Sequence, residues 1–263
     1  MSSRTLDPQP ETAARPAEIV REFGPFAGAS AVHGVSYDGR QVWAATGTRL
    51  LAIDPRSGEV TRTLPRACDA GTAFDGKHLW QIAEARIDKI DPVTGDVLAS
   101  IPAPGDGVSG LAWAEGSLWV GSYRDRKIHQ VDPATGAIRR TIASNRFVTG
   151  VTWVDGELWH GTWEADQSEL RHVDAGSGQV LERLEMPAGI GVSGLESDGA
   201  AWSTSALALA LDASQRTVQR ALSELEAAGQ VRGIGQARAR RWVAPPLVDF
   251  TSILLLPASL PGA

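Results

Sequence analysis

Tryptophan spacing limits what this chain can fold into. Trp43, Trp80, Trp119, Trp159 and Trp202 are separated by 37, 39, 40 and 43 residues. Each follows a turn-forming pair: Asp38-Gly39, Asp75-Gly76, Glu115-Gly116, Asp155-Gly156 and Asp198-Gly199. A second signal keeps the same beat, from Asp54-Pro55 to Gly58, Asp91-Pro92 to Gly95, Asp132-Pro133 to Gly136 and Asp174-Ala175 to Gly178. Two turn signals in register over four copies define a repeat. A period near 40 with short strands between turns is the pattern of a propeller blade.

Each copy reads as four strands. The first is led by glycine, as in Gly150-Val-Thr-Trp-Val154. Asp-Gly then makes a tight hairpin, because glycine accepts positive φ without a Cβ clash. The second strand carries the tryptophan, and the third ends in Ile/Val-Asp-Pro. Proline presets φ for a type I turn and glycine closes it into the fourth strand. A large indole at one place in every blade is expected to fill the space between sheets. His160 and His172 stand alone on strands and read as packing or surface residues.

The expected fold is mainly β: a five-bladed propeller over residues 17–203, with four full repeats and one partial copy beginning at Gly194-Leu-Glu-Ser197. Residues 1–16 are polar and proline-containing and read as a disordered tail. Glu18-Ile-Val-Arg-Glu-Phe23 matches the fourth-strand pattern, so the amino-terminus is expected to supply the outer strand of the last blade and close the ring. A small α+β unit follows over 204–246. Residues 247–263 form a β-prone tail that could pack on blade five or belong to the small unit.

Composition bounds the setting. The chain has 263 residues and a single cysteine, Cys68, so no internal disulfide forms. No apolar leader follows the start, and Ile253-Leu-Leu-Leu256 is too short to span a membrane. These features point to a reducing cytoplasm and no membrane partner. Net charge is −6, unevenly placed. Residues 201–263 hold six Arg against four acids, whereas residues 1–200 hold 19 bases against 27 acids. A basic tail on an acidic body suggests two jobs.

The repeats, with their glycine-led first strands and the segment Gly191-Val-Ser-Gly-Leu-Glu-Ser-Asp-Gly-Ala200, resemble five-bladed propellers of the glutaminyl-peptide cyclotransferase type over residues 17–202. More distantly they are similar to virginiamycin B lyase propellers. The cyclotransferase family's Phe-Thr-Glu-Gly segment carries its acidic group near the start of the first blade. Here that place reads Ala31-Val32-His33-Gly34, so no catalytic residue is assigned. The lyase metal ligands have no match, and no metal or cofactor is expected. Were the propeller an enzyme, Asp69, Glu84 and Glu164 would be its acid/base candidates.

Residues 205–243 carry a second signal. A short helix is expected over 205–211. Ser214 is placed to cap a helix running to Gly229, with Val218, Leu222 and Leu225 on one face. Strands are expected at 231–233 and 239–243. This order resembles a winged helix-turn-helix unit. The resemblance implies double-stranded DNA as partner and a homodimer on the operator. Ser214, Gln215, Arg216, Thr217, Gln219 and Arg220 would then lie at the major groove, with Arg238, Arg240 and Arg241 at the phosphates.

Propeller loops from fourth to first strands, and from second to third, open on one rim. Here they carry His33, Asp69, Glu84, Tyr123, Arg124, Arg146, Trp163 and Glu164. Aromatics with both signs of charge suit a small polar ligand. The leading expectation is a DNA-binding regulator whose propeller senses such a ligand. The alternatives are a cyclotransferase- or lyase-type enzyme and a non-catalytic interaction scaffold.

Overall fold

In the computed structural model the described residues are 13–17, 19, 22–154, 156–197, 202–203, 214–228, 231–234, 241–243 and 255–256. Four blades are complete. Blade one is β2 (Gly34–Tyr37), β3 (Val42–Ala45), β4 (Gly47–Ile53) and β5 (Val60–Cys68). Blade two is β6 (Thr72–Phe74), β7 (Leu79–Ala83), β8 (Arg86–Ile90) and β9 (Val97–Pro102). Blade three is β10 (Val108–Ala114), β11 (Ser117–Ser122), β12 (Lys127–Val131) and β13 (Ile138–Ala143). Blade four is β14 (Phe147–Val154), β15 (Glu157–Glu164), β16 (Gln167–Val173) and β17 (Val180–Glu185). Within each, strands pair antiparallel in chain order.

The Asp-Pro turns work through their carboxylates. Asp54 Oδ1 accepts from the backbone N–H groups of Arg56 (2.8 Å) and Ser57 (3.0 Å), and Gly58 N–H donates to Asp54 O at 2.8 Å. Asp91, Asp132 and Asp174 repeat this set. The fourth copy has Ala175 in place of proline, so the carboxylate and the left-handed glycine (φ 77° at Gly178) suffice.

The Asp-Gly turns are of two kinds, which corrects the uniform tight-hairpin expectation. In blades three and four a two-residue turn links Ala114 to Ser117 and Val154 to Glu157. In blades one and two the loop has four residues, since Tyr37 pairs with Val42 and Phe74 with Leu79. There the aspartate has room to curl back. Asp38 accepts from Arg40 N, Gln41 N and the Trp43 indole, the last at 2.8 Å. Asp75 does the same for Lys77, His78 and Trp80. In blade three the shorter turn leaves the buried Trp119 Nε1 without a partner.

Trp43, Trp80 and Trp119 are buried between sheets. Trp80 stacks on Trp113 and Trp119 tilts against Trp153, with centroids 5.8 and 5.1 Å apart. Next to the axis the packing is backbone against backbone. A Cβ on Gly34 would lie 2.7 Å from Gly71 Cα; one on Gly71, 2.4 Å from Leu111 N; one on Gly110, 2.4 Å from Val151 N. A Cβ on Gly150 would lie 2.8 Å from Leu195 N, and one on Gly194 2.8 Å from Val35 N. The relay returns to its start, and the glycine backbones plug the axis.

Of the expected fifth blade, the described residues supply the segment 191–197, seated between blades four and one. Ser193 Oγ donates to Val32 O at 2.7 Å, and Val192 N–H to Ser168 Oγ at 3.2 Å. Its short strand β18 (Gly191–Val192) pairs antiparallel with β22 (Leu255–Leu256). The β-prone tail therefore returns beside the first strand of that segment rather than as a third strand. β19 (Trp202–Ser203), expected as a second blade strand, pairs instead with β21 (Arg241–Val243). β21 in turn pairs with β20 (Arg232–Ile234).

Two terminal expectations change. The amino-terminal strand is β1 (Ala14–Pro16), pairing parallel with β17, and not residues 18–23. Residues 19, 22 and 23 lie outside strands, because the chain is already crossing to blade one, where Phe23 packs on Gly58. Part of the expected disordered tail is thus a strand, and residues 1–12 lie outside the described residues. In the carboxyl-terminal unit, helix α1 (Gln215–Ala227) is capped by Ser214, whose side chain accepts from Thr217 N at 3.1 Å. Val218 and Leu222 are buried with Trp242, but Leu225 remains 37% exposed. The helix ends with Ala228 as C-cap, ahead of Gly229. The expected 205–211 helix lies outside the described residues, as do Gly229, Arg238 and Arg240.

A Gly110→Ala substitution should cost about 2–4 kcal/mol of stability, because the facing atoms are backbone and cannot rotate away. Urea unfolding monitored by tryptophan emission checks this; a loss below about 0.5 kcal/mol would contradict the close-packed axis.

Candidate functional site

Antiparallel order fixes which loops share a face. The segments entering each first strand and the turns joining second to third strands emerge at the same end of every sheet. That rim holds all eight expected ligand residues, but the structure gathers them unevenly. Asp69 accepts from the backbone N–H of Glu84 at 3.0 Å, with Glu84 held at φ 57°. Glu84 also pairs with Arg86 at 3.0 Å. His33 sits against Gly47 in blade one, and Arg124 is exposed.

Tyr123, Arg146 and Glu164 belong to one network between blades three and four. Tyr123 stacks on Phe147 with centroids 4.7 Å apart, and the Arg126 guanidinium lies 4.3 Å from the Phe147 centroid. Arg126 pairs with Glu164 at 3.0 Å and donates to Asn145 O at 2.6 Å. Asn145 Oδ1 accepts from Arg171 at 2.5 Å. Arg171 Nε donates to Glu169 at 2.9 Å, and Arg146 approaches the same carboxylate at 3.3 Å. Trp163 pairs with Phe147 in register and packs on Gly191.

The electrostatics follow from burial. Glu169 and Arg171 are only 3% and 2% exposed. Burial alone would raise the Glu169 pKa, but hydrogen bonds from Arg183 and Arg171 outweigh it and hold the carboxyl below its ordinary range. Burial, followed by the Glu164 charge, pushes the Tyr123 phenol up, so it stays a donor. His160 is pushed down to about 4 by burial and is a neutral packing residue. His172 stacks on Trp159 at 5.2 Å. Cys68 is fully buried and its thiol is pushed up by burial, which makes it a poor nucleophile. Among the described residues, no group of three or more His, Cys, Asp or Glu is placed to hold a metal ion. None of their helices is long and apolar enough to cross a membrane.

Sequence reasoning missed Arg126, Asn145, Glu169, Arg171 and Arg183, which come from two strands and two loops. It also passed over Glu196. This carboxylate accepts from Thr152 Oγ1 of blade four at 2.7 Å and from Ser36 Oγ of blade one at 3.2 Å. Ser197 N–H adds a bond at 2.9 Å. In the aligned repeats its position is held by Ser36, Ala73, Ala112 and Thr152, so an acid there was a visible departure. Burial raises the Glu196 pKa against the opposing effect of those donors.

No protein-family model matches this sequence, and no curated protein matches it. Solved structures do match in fold. Glutaminyl cyclase from Myxococcus xanthus is 16% identical, with a TM-score of 0.59 over 71% of this chain and 89% of that one. A protein of unknown function from Bacteroides caccae is 14% identical, with a TM-score of 0.47 over 64% and 65% of the two chains. Hydrazine synthase from Kuenenia stuttgartiensis is 17% identical, with a TM-score of 0.45 over 70% and 58%. The first likeness establishes a mainly β, propeller-type fold, similar to that of the glutaminyl cyclase. At these identities it establishes nothing about activity.

Because its folded-state pKa is raised, the Glu196 carboxyl contributes stability below its unfolded value, and that contribution is lost as pH rises through the folded value. Glu196→Gln keeps the shape of the protonated acid. Its unfolding midpoint should therefore gain on the parent as pH rises above the ordinary glutamate value. A gap that narrows or is constant would refute the assigned shift.

Proposed function

We propose that the propeller binds a small polar ligand on the rim between blades three and four. The observation carrying this reading is the aromatic pair Tyr123–Phe147 flanked by the charged pair Arg126–Glu164. A flat apolar face beside donors and an acceptor is what a small polar molecule needs for both contact area and orientation. The enzymatic form of this reading is cyclotransferase-type chemistry. The fold it shares with a glutaminyl cyclase supports that form, and Glu164 is the acid among the three candidates that lies in the cluster. A fifth blade belongs to the same reading; the glycine relay through Gly194 supports it.

A glutaminyl dipeptide is the direct probe. Calorimetry should show binding that weakens at least tenfold, about 1.4 kcal/mol, in Tyr123→Ala and Arg126→Ala. Ammonia release that falls in Glu164→Gln would add the enzymatic form. No binding of this probe and no response of tryptophan emission to a panel of small polar molecules would overturn the reading.

A second reading, DNA binding by the carboxyl-terminal unit, has its own support. The sheet order β19-β21-β20 puts the strand before the helix beside the far strand of the hairpin, and α1 packs on it through Val218, Leu222 and Trp242. The helix packed on its paired strands is what supports the resemblance to a winged helix-turn-helix. Ser214, Gln215, Arg216, Thr217 and Arg220 are exposed and Gln219 is half-buried, leaving the front of the helix open. Duplex DNA of random sequence should bind at low salt, lose affinity as salt rises, and bind Arg216→Ala/Arg220→Ala more weakly. Absence of binding at low salt would remove DNA as a partner, leaving the rim reading untouched.

A further inference from the structure

Glu169 serves three guanidiniums at once. Its Oε2 accepts from Arg171 Nε at 2.9 Å and Arg183 Nε at 3.1 Å. Its Oε1 is taken by Arg183 Nη2, and Arg146 Nη1 reaches it at 3.3 Å. Two carboxylate oxygens offer about four acceptor sites. Arg146 comes last, at the longest distance and without hydrogen-bond geometry. Its Nη1 is buried and makes no hydrogen bond. Arg146 is therefore ion-paired with Glu169 but is the least well satisfied of the three guanidiniums.

The position of Arg146 gives that deficit a use. It enters β14 one residue before Phe147, whose ring forms the aromatic pair of the rim. The chain of contacts Glu164–Arg126–Asn145–Arg171–Glu169 ties the two clusters together. Arg146 retains 17% of its side-chain surface. Arg126 is already matched by Glu164, and His160, facing Arg171 in the pairing of β15 with β16, is neutral. An incoming anion would meet Arg146 through the part of its side chain that stays exposed, beside a Glu169 already shared with Arg171 and Arg183.

We infer that the rim ligand carries an oxyanion, a carboxylate or phosphate group, which meets the Arg146 guanidinium while the rest of the molecule lies against Tyr123 and Phe147. This deepens, and rests on, the rim-binding reading above. Arginine suits the task because its planar fork matches such groups with two parallel bonds.

Benzoate, its neutral isostere benzamide and inorganic phosphate are suitable probes for the full chain, read by calorimetry. Benzoate is expected to bind at least tenfold more tightly than benzamide. Arg146→Gln should abolish that preference. Arg146→Lys, which keeps the charge at the blade interface, is the second variant if the first fails to fold; it should retain part of the preference. Phosphate that competes with benzoate in the parent but not in Arg146→Gln would support the inference and make an inorganic oxyanion sufficient. Phosphate without effect, with the benzoate preference intact, would support a carboxylate. Equal binding of benzoate and benzamide would overturn the inference and leave the rim reading standing. A preference lost instead in Arg124→Gln would overturn the assignment to Arg146. Binding of none of the probes would overturn the inference, and the glutaminyl dipeptide would still decide the rim reading.

Discussion

Direct contact between backbones around the axis is the constraint on which the rest of this molecule depends. Five first-strand glycines, from Gly34 to Gly194, each face the main chain of the next segment at distances where a Cβ would collide. That approach lets radially arranged sheets converge without a hole. It brings indoles such as Trp80 and Trp119 within reach of the neighbouring blade. It also draws the main chains together at the axis.

Aspartate carboxylates do the complementary work at the periphery. In each Asp-Pro-type turn one carboxylate oxygen satisfies two backbone N–H groups that have no strand partner. Where the Asp-Gly loop is four residues long, the aspartate also reaches the buried indole. Where the loop shortens to two, Trp119 loses that acceptor. Repeats that look equivalent therefore differ in how their polar atoms are satisfied, and the difference follows from loop length.

The gap between blades four and one is closed by polar contacts in addition to glycine. Glu196 bridges Ser36 and Thr152, residues far apart in the chain but neighbours around the ring. Burial raises the cost of its charge, and the hydroxyl donors offset part of that cost. The charged network on the blade three–four rim is built around another buried carboxylate, Glu169, held by guanidinium donors of Arg171 and Arg183. Arg146, whose Nη1 lacks a hydrogen bond, lies at the edge where the aromatic pair begins.

Local sequence determined the repeat, the turn positions and the burial of the tryptophans. These depend on residue types at fixed short spacings: glycine where φ must be positive, aspartate where loop N–H groups need an acceptor, an indole where sheets face one another. The same logic located the helix cap at Ser214 and placed the candidate ligand residues on one rim. Only the tertiary structure decided which of those residues meet. Tyr123 and Glu164 join through Arg126 and Phe147, whereas His33 stays in blade one and Asp69 pairs locally with Glu84. It also decided that Ala14–Pro16, and not residues 18–23, joins blade four, and that Trp202–Ser203 pairs with Arg241–Val243. Such pairings depend on long-range register and on packing between elements up to 169 residues apart, as Ala14 is from Arg183, which no local pattern encodes.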